Sequence, residues 1–447
     1  NKYQGLSIGS DFSVVLMATQ DNVEKDSFDE NYDDIDVPDK DIQIIDGNTY
    51  YYLNDGNVVL RSVPYGNVGS SFTVRNDVTL LGIGVDKGDT NGPVFSKYSP
   101  VETLTLNEGL VKINARAVTG VKTLTSVNFP STLKFIGEQA FAQAGMTSLT
   151  IPANVEEIKL GAFRDMANLT TVTVEGNVAF DNFAFRSCPN LTSIYLLGDD
   201  VTFTGSQFAT HSDNGDATGI TIYVKNATVA ARVYAAQKSA YGYEVKVLGA
   251  AADGSDAQEV VKATNNAQLN EAIQAGAKAV VLAEGNYALH FTNNTNFNLN
   301  DMTIEGLGNV NLSISSSEAW YGRVQGSNVT FENIHFTSSV GATGKATYNN
   351  CTFDDWTICA SSNNEETTFN NCTINGCLNT STDFSSGDVF VNNCKIAKAE
   401  YSGSMTMNFV DCQIGEIIIW NANTNLTNCQ VTTLDTSNVT NATVTIK

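Results

Sequence analysis

Histidine and positive charge are scarce in this chain. Its 447 residues contain three histidines, His211, His290 and His335, in unrelated segments, so neither a catalytic triad nor a histidine metal site is suggested. His335 is expected simply to face solvent. Lys plus Arg number 25 against 48 Asp plus Glu, a formal charge of -23. Such a surface repels phosphate backbones and anionic lipid, which argues against nucleic acid as a partner. No apolar run approaches the ~20 residues that cross a bilayer. No signal peptide precedes Asn1, and its prior removal from a secreted protein is the expectation. On length alone, two or three domains of roughly 100 to 200 residues are expected.

What is abundant is repetition. Tyr348-Asn-Asn-Cys-Thr-Phe353, Phe369-Asn-Asn-Cys-Thr-Ile374 and Val391-Asn-Asn-Cys-Lys-Ile396 are one phrase used three times. Aligned on the second Asn, it gives the column Asn333, Asn350, Asn371, Asn393, Asp411, Asn428 and Asn441, each preceded by two and followed by three with an apolar residue. The residue two after the Asn is polar (His335, Thr352, Thr373, Lys395, Gln413, Gln430, Thr443), so the local period is two and the element is a strand with one buried face. Successive Asn positions differ by 17, 21, 22, 18, 17 and 13 residues, which suits coils of a parallel β-helix and is too short for helix-linked units. Asn before the strand tolerates a left-handed turn and can bond to its neighbours above and below. Leu299-Asn-Asp-Met-Thr-Ile304 fits the same template, so the stack is expected to begin there.

Five of the eight cysteines, Cys351, Cys372, Cys394, Cys412 and Cys429, fall in one inward column. Stacked side chains point the same way, whereas a disulfide needs Cβ vectors turned together, so free buried thiols are expected. The close spacing of a zinc site is absent.

From Val101 a second repeat takes over, with starts at Val101, Leu124, Met146, Leu169 and Leu191. Leu124-Thr-Ser-Val-Asn-Phe-Pro130 runs on to Ile136-Gly-Glu-Gln-Ala-Phe141, and Met146-Thr-Ser-Leu-Thr-Ile-Pro152 to Ile158-Lys-Leu-Gly-Ala-Phe163; a later copy ends Ala184-Phe-Arg-Ser-Cys188. These residues resemble the BspA-type leucine-rich repeats of bacterial surface proteins. Pro130 and Pro152 end their strands because Pro cannot donate to a ladder, and Val118, Phe141, Phe163 and Phe185 form the spine between coils. Asn114, Gly137 and Asp181 are placed at a left-handed turn, with Lys159 departing from the pattern. Ile220–Val224 and Val229–Tyr241 read as the strand and helix that close such an array.

The organisation expected is a β-rich region over 1–100, with an acidic linker at 21–41 and a hairpin of Asn48–Leu53 with Val58–Val63. A capped leucine-rich-repeat array follows over 101–248, then a small, polar linker at 249–258 and a parallel β-helix over 259–447. Asp29–Asp33 opens like a calcium loop, but Asp34 stands where Gly is needed and Lys40 where Glu is needed. Asn265-Asn266 caps a helix bearing Leu269, Ala272 and Ile273, and with Val280–Leu282 and the Gly285 turn it resembles the opening cap of pectin-lyase-like right-handed β-helices. The fold class is thus mainly β, two solenoids in tandem.

That resemblance raises polysaccharide cleavage. A lyase needs a base, usually with calcium, yet beyond Phe297 the only cations are Arg323, Lys345, Lys395, Lys398 and Lys447. A glycosidase needs two opposed carboxylates ~5 to 9.5 Å apart. Asp354 and Asp355 are adjacent and expected to point apart, leaving Asp354, Asp355, Arg323 and Glu366 as the group that loops would have to bring together. The expectation is therefore no catalytic residue, no metal and no cofactor. Trp320, Tyr321, Trp356, Tyr401 and Trp420, in or beside loops, are candidates for stacking on sugars. The BspA resemblance implies a secreted, surface-displayed or lipid-anchored adhesin, monomeric, that binds an extracellular protein or glycan. The alternative is a carbohydrate-binding or polysaccharide-degrading β-helix.

Overall fold

The computed structural model describes residues 40–83, 93–206, 219–236, 243–250, 254–292, 297–317, 322–342, 344–358, 366–379, 387–403 and 405–447. Most of the acidic linker at 21–41, the Asp29–Asp33 segment, His211, Trp320 and Tyr321 lie outside these residues. The described chain is mainly β with two α-helices, α1 (Ala227–Ala236) and α2 (Asn266–Gln274).

In the first solenoid, short parallel strands alternate between two faces. One face is a nine-stranded sheet running from Lys40–Ile45 to Thr202–Phe203, and the other begins with the three strands Ser71–Thr73, Thr103–Thr105 and Ser126–Asn128. The expected hairpin is present, Tyr50 opposite Leu60 and Tyr52 opposite Val58. It does not bound a separate domain. Val58–Ser62 pairs with Leu80–Leu81, which pairs with Lys112–Ile113, so the region before residue 101 is the opening of the array and shares its core.

The phenylalanine spine is buried, with Phe141 to Phe163 at 5.7 Å and Phe163 to Phe185 at 5.6 Å between ring centroids. The left-handed turn lies two residues later than expected, at Arg116, Gln139, Gly161 and Phe183, with φ between 51° and 59°. Gly137 serves a different purpose. A Cβ there would meet the backbone of Asn114 and Ala115 at 2.6 Å, so glycine is needed for close approach of coils.

The segment expected to be a linker is where the two solenoids join. Tyr243–Val247 continues the first solenoid in parallel with Ile220–Val224, then pairs antiparallel with Gln258–Ala263 at Lys246 opposite Glu259 and Val247 opposite Gln258. Gln258–Ala263 pairs in parallel with Ala279–Leu282, so a fifteen-stranded sheet runs unbroken from Ser148–Ile151 to Val444–Ile446. Helix α1 buries Val229, Ala230 and Val233, and its Tyr234 hydroxyl donates to Val260 O at 2.7 Å across the join. The apolar core of the first solenoid correspondingly extends to Val260, Ala279 and Val281. Helix α2 is capped as expected, Asn265 accepting from Gln268 N.

In the second solenoid the Asn column is as read over its middle. Asn333, Asn350, Asn371, Asn393, Asp411 and Asn428 all have φ of 52° to 56°, and Asn393 donates to Asn371 Oδ1 at 2.8 Å. A second amide ladder stands one residue earlier, Asn392 to Asn370 to Asn349, at 2.9 Å per step. The alignment fails at both ends. Ile304 pairs with Phe331, so Asp301 stacks beneath Asn328 and the Asn-column position in the first coil is Gly306. At the other end Ile446, not Val439, lies beside Leu426, because the last loop is longer than the template assumed.

The cysteine column is free and inward, Cys429 being partly exposed at its end. Hydrogen bonding to the thiol of the preceding coil, together with burial, pushes Cys372 and Cys394 up to about 12, which keeps them as unreactive thiols.

Candidate binding surfaces

Three surfaces carry chemistry. The first is the outer face of the second solenoid. Asn286, Asn311, His335, Thr352, Thr373, Lys395, Gln413 and Gln430 are successive register partners, an unbroken polar file over eight coils. At ~4.8 Å per step it spans ~34 Å. Where the next file carries only Ala397 and Gly415, the surface sinks into a groove of about 340 Å³ flanked by Thr373, Lys395, Gln413 and Gln430.

His335 is not a plain solvent-facing residue. Its Nε2 lies 2.8 Å from Asp354 Oδ2 and its Nδ1 2.8 Å from Asn311 Oδ1; Asn311 in turn donates to Asn286 at 2.8 Å. The hydrogen bond from His335 holds the Asp354 carboxyl below its usual range. The residues that loops would have had to gather meet other neighbours. Asp355 accepts from Ser339 at 2.8 Å, Glu366 pairs with Lys345 at 3.3 Å before strands of the other sheet, and Arg323 lies beside Gly341.

Of the proposed stacking residues, Trp356 and Trp420 are exposed, at 41% and 46%. Tyr401 must be withdrawn. It is 1% exposed, because alternation along Lys395–Ser402 turns it inward, and its hydroxyl meets Thr424 Oγ1 at 3.1 Å. Register places Trp356 level with Cys377, Lys398 and Glu416, so Trp420 lies three coils and four residues away. That is ~14 Å along the axis and ~13 Å along the strand, too far for both rings to stack on one sugar.

The second surface is a cleft of about 620 Å³ at the join of the solenoids, lined among others by Asp199, Lys225, Thr228, Arg232, Lys278 and Glu332. Its rim carries ion pairs, Lys225 with Asp199 at 2.7 Å, Arg232 with Asp200, and Lys278 with Asp301 at 3.6 Å. Beside it lies Glu305, 2% exposed and directly opposite Glu332 in register. Glu305 accepts from Thr228 of α1 at 3.2 Å and from Asn333 at 2.5 Å. Burial, then the Glu332 charge, push it up to about 7, opposed by its two hydrogen bonds and Arg232. Here the repeat does set two carboxylates on one face, a pair hidden from sequence reading by the misaligned first coil. The signal was Thr303-Ile-Glu305 against Thr330-Phe-Glu332. Both Glu305 oxygens are engaged and the group is covered, so it serves as a latch between α1 and the second solenoid.

The third surface is a slot of about 350 Å³ in the first solenoid, between Ser126–Asn128 and Ser148–Ile151. Among the described residues no three His, Cys, Asp or Glu side chains gather as a metal set, and no helix is long and apolar enough to cross a membrane.

A comparison with curated proteins gave no match. Two solved structures are similar in part. The pneumococcal vaccine antigen PcpA is 18% identical, with 45% of this chain and 47% of that one covered and a TM-score of 0.33. The chain thus spans about half the length of that antigen. A leucine-rich repeat protein from Bacteroides ovatus is 15% identical, with 69% and 94% covered and a TM-score of 0.27. Residues 91–213 match the BspA type leucine rich repeat region, in six copies.

Proposed function

We propose that this chain is a non-catalytic binding protein displayed outside the cell, which engages extended macromolecules of a host or neighbouring cell along its solenoids. The observation that carries the reading is the polar file from Asn286 to Gln430. It offers amides, hydroxyls, one imidazole and one lysine at a constant step over ~34 Å, a surface matched to a long, repetitive or extended ligand rather than to a small molecule. The BspA-type repeats over 91–213 fit a surface repeat protein. Covered and fully bonded, Glu305 is poorly placed for proton transfer to a substrate, and Asp354 is tied to His335.

Carbohydrate is the second reading, favoured by exposed Trp356 and by the groove beside Lys395. A glycan array run beside a binding screen on extracellular-matrix proteins, with the wild type and a Lys395→Ala/Gln413→Ala variant, tests both. Binding that the double variant weakens at least tenfold supports the file as the contact surface. Binding that is indifferent to the double variant sinks it. Release of reducing ends or unsaturated products from a polysaccharide panel, lost in Asp355→Asn, would make the chain an enzyme.

A further inference from the structure

The two strand ladders of the first solenoid behave differently at one step. On one face Phe135–Ile136 pairs with Glu157–Ile158, and Phe141 stacks on Phe163 at 5.7 Å, so the two coils are closed there. On the other face the three-stranded sheet ends at Ser126–Asn128 and the fifteen-stranded sheet begins at Ser148–Ile151, with no ladder between them. Their Cα atoms stand mostly more than 8 Å apart. One ladder step is ~4.8 Å and two are ~9.6 Å. The two strands thus stand further apart than one ladder step.

Backbone direction makes the gap chemically specific. Ser126 N bonds to Glu102 O, and Leu106 N to Asn128 O, so Ser126 and Asn128 point their peptide groups to the preceding strand. Val127 and Phe129 must then point theirs into the slot. Glu175 N bonds to Ile151 O, so Leu149 and Ile151 serve the following strand, leaving Ser148 and Thr150 to face the slot. Two strand edges with the same direction therefore face each other across it. Pro152 adds to the opening. Its counterparts Glu175 and Leu197 donate to the previous coil at 3.0 and 2.8 Å, and proline cannot. Phe129 occupies a position filled elsewhere by the buried aliphatics Leu106, Ile151, Val174 and Leu196. Too large for that place, it remains partly exposed, edge-on to Phe141 at 5.5 Å.

We propose that this slot binds an extended stretch of a partner polypeptide by strand addition. Only a polypeptide presents N–H and C=O groups at strand spacing to both edges at once. About four residues, ~13 Å, fill it. Residues of the segment that point inward meet Val127, Phe129 and Leu149, and so are small and apolar or β-branched; those pointing outward lie between Ser126 and Thr150 and are polar. The slot's single charged lining residue is the exposed Glu175, which favours Lys or Arg at that end. With the segment in place, one continuous sheet runs from Ser71–Thr73 to the end of the chain.

The test uses the full chain and a fluorescent, end-capped peptide Thr-Val-Thr-Val-Lys, which copies the strand Thr171–Val174 that already pairs with the other edge of Ser148–Ile151 and sets its Lys level with Glu175. Saturable binding is expected, weakened at least tenfold by N-methylation of alternate residues and by Phe129→Ile, which lets the slot close, and severalfold by Glu175→Gln. The N-methylated peptide keeps the test valid should Phe129→Ile disturb folding. No binding up to about 1 mM, or equal binding of the methylated peptide, overturns the proposal. Matrix-protein or glycan binding sensitive to Lys395→Ala/Gln413→Ala would then survive, since that reading rests on a different surface.

Discussion

Replacing Glu305 by Gln should stabilise this protein at neutral pH and leave it unchanged in acid. In the unfolded chain the carboxyl loses its proton near 4.5; folded, burial and Glu332 hold the proton until about 7. Between those values the folded state keeps a proton that the unfolded state has released, so stability falls as pH rises through the window and the loss is complete above 7. The 2.5-unit difference corresponds to about 3 kcal/mol at 1.36 kcal/mol per unit, and at 2% exposure little is screened by solvent. Gln keeps the geometry. Its amide oxygen still accepts from Asn333, and the Thr228 hydroxyl can turn to accept from the amide nitrogen. Urea midpoints of both proteins from pH 4.5 to 7.5 should diverge steadily in favour of the variant. Parallel curves, or a wild type that gains on the variant as pH rises, would refute the buried, protonated latch. Glu332→Gln should narrow the window from its upper end.

Three further outcomes are expected. Phe163→Ala should cost ~3 to 5 kcal/mol. Because the sheet and core continue through the join, calorimetry should show both solenoids shifting together, and an unmoved second transition would restore the linker reading. At Asn371, where φ is 53°, substitution by Ala should destabilise by ~1 to 2 kcal/mol and substitution by Gly by less; equal losses in denaturation would assign the residue to the amide ladder alone. Cys394→Ser should destabilise by ~1 to 3 kcal/mol by placing a hydroxyl in an apolar column. Thiol titration of the denatured, unreduced wild type should find free sulfhydryls, and their absence would mean that the coils are cross-linked.

The repeat columns were legible in the sequence because each depends on residues a few positions apart. Alternation sets which face is buried, Asn takes the left-handed turn, and Phe141, Phe163 and Phe185 recur at coil length. Sequence alone therefore determined two solenoids, their thiol stack and their polar outer file. It could not determine what lies beside what once a coil departs from the template. One misaligned coil hid Glu305 from Glu332, and a longer final loop moved Ile446 into the place given to Val439. The eight-residue strand Lys395–Ser402 carried Tyr401 into the core, while His335 met Asp354 only because their coils are adjacent in register. The antiparallel turn that fuses the solenoids and the strand missing between Ser126–Asn128 and Ser148–Ile151 are likewise properties of pairing. Register is fixed by hydrogen bonds and packing between coils, so only the tertiary structure decided which polar groups meet and which strand edges remain open.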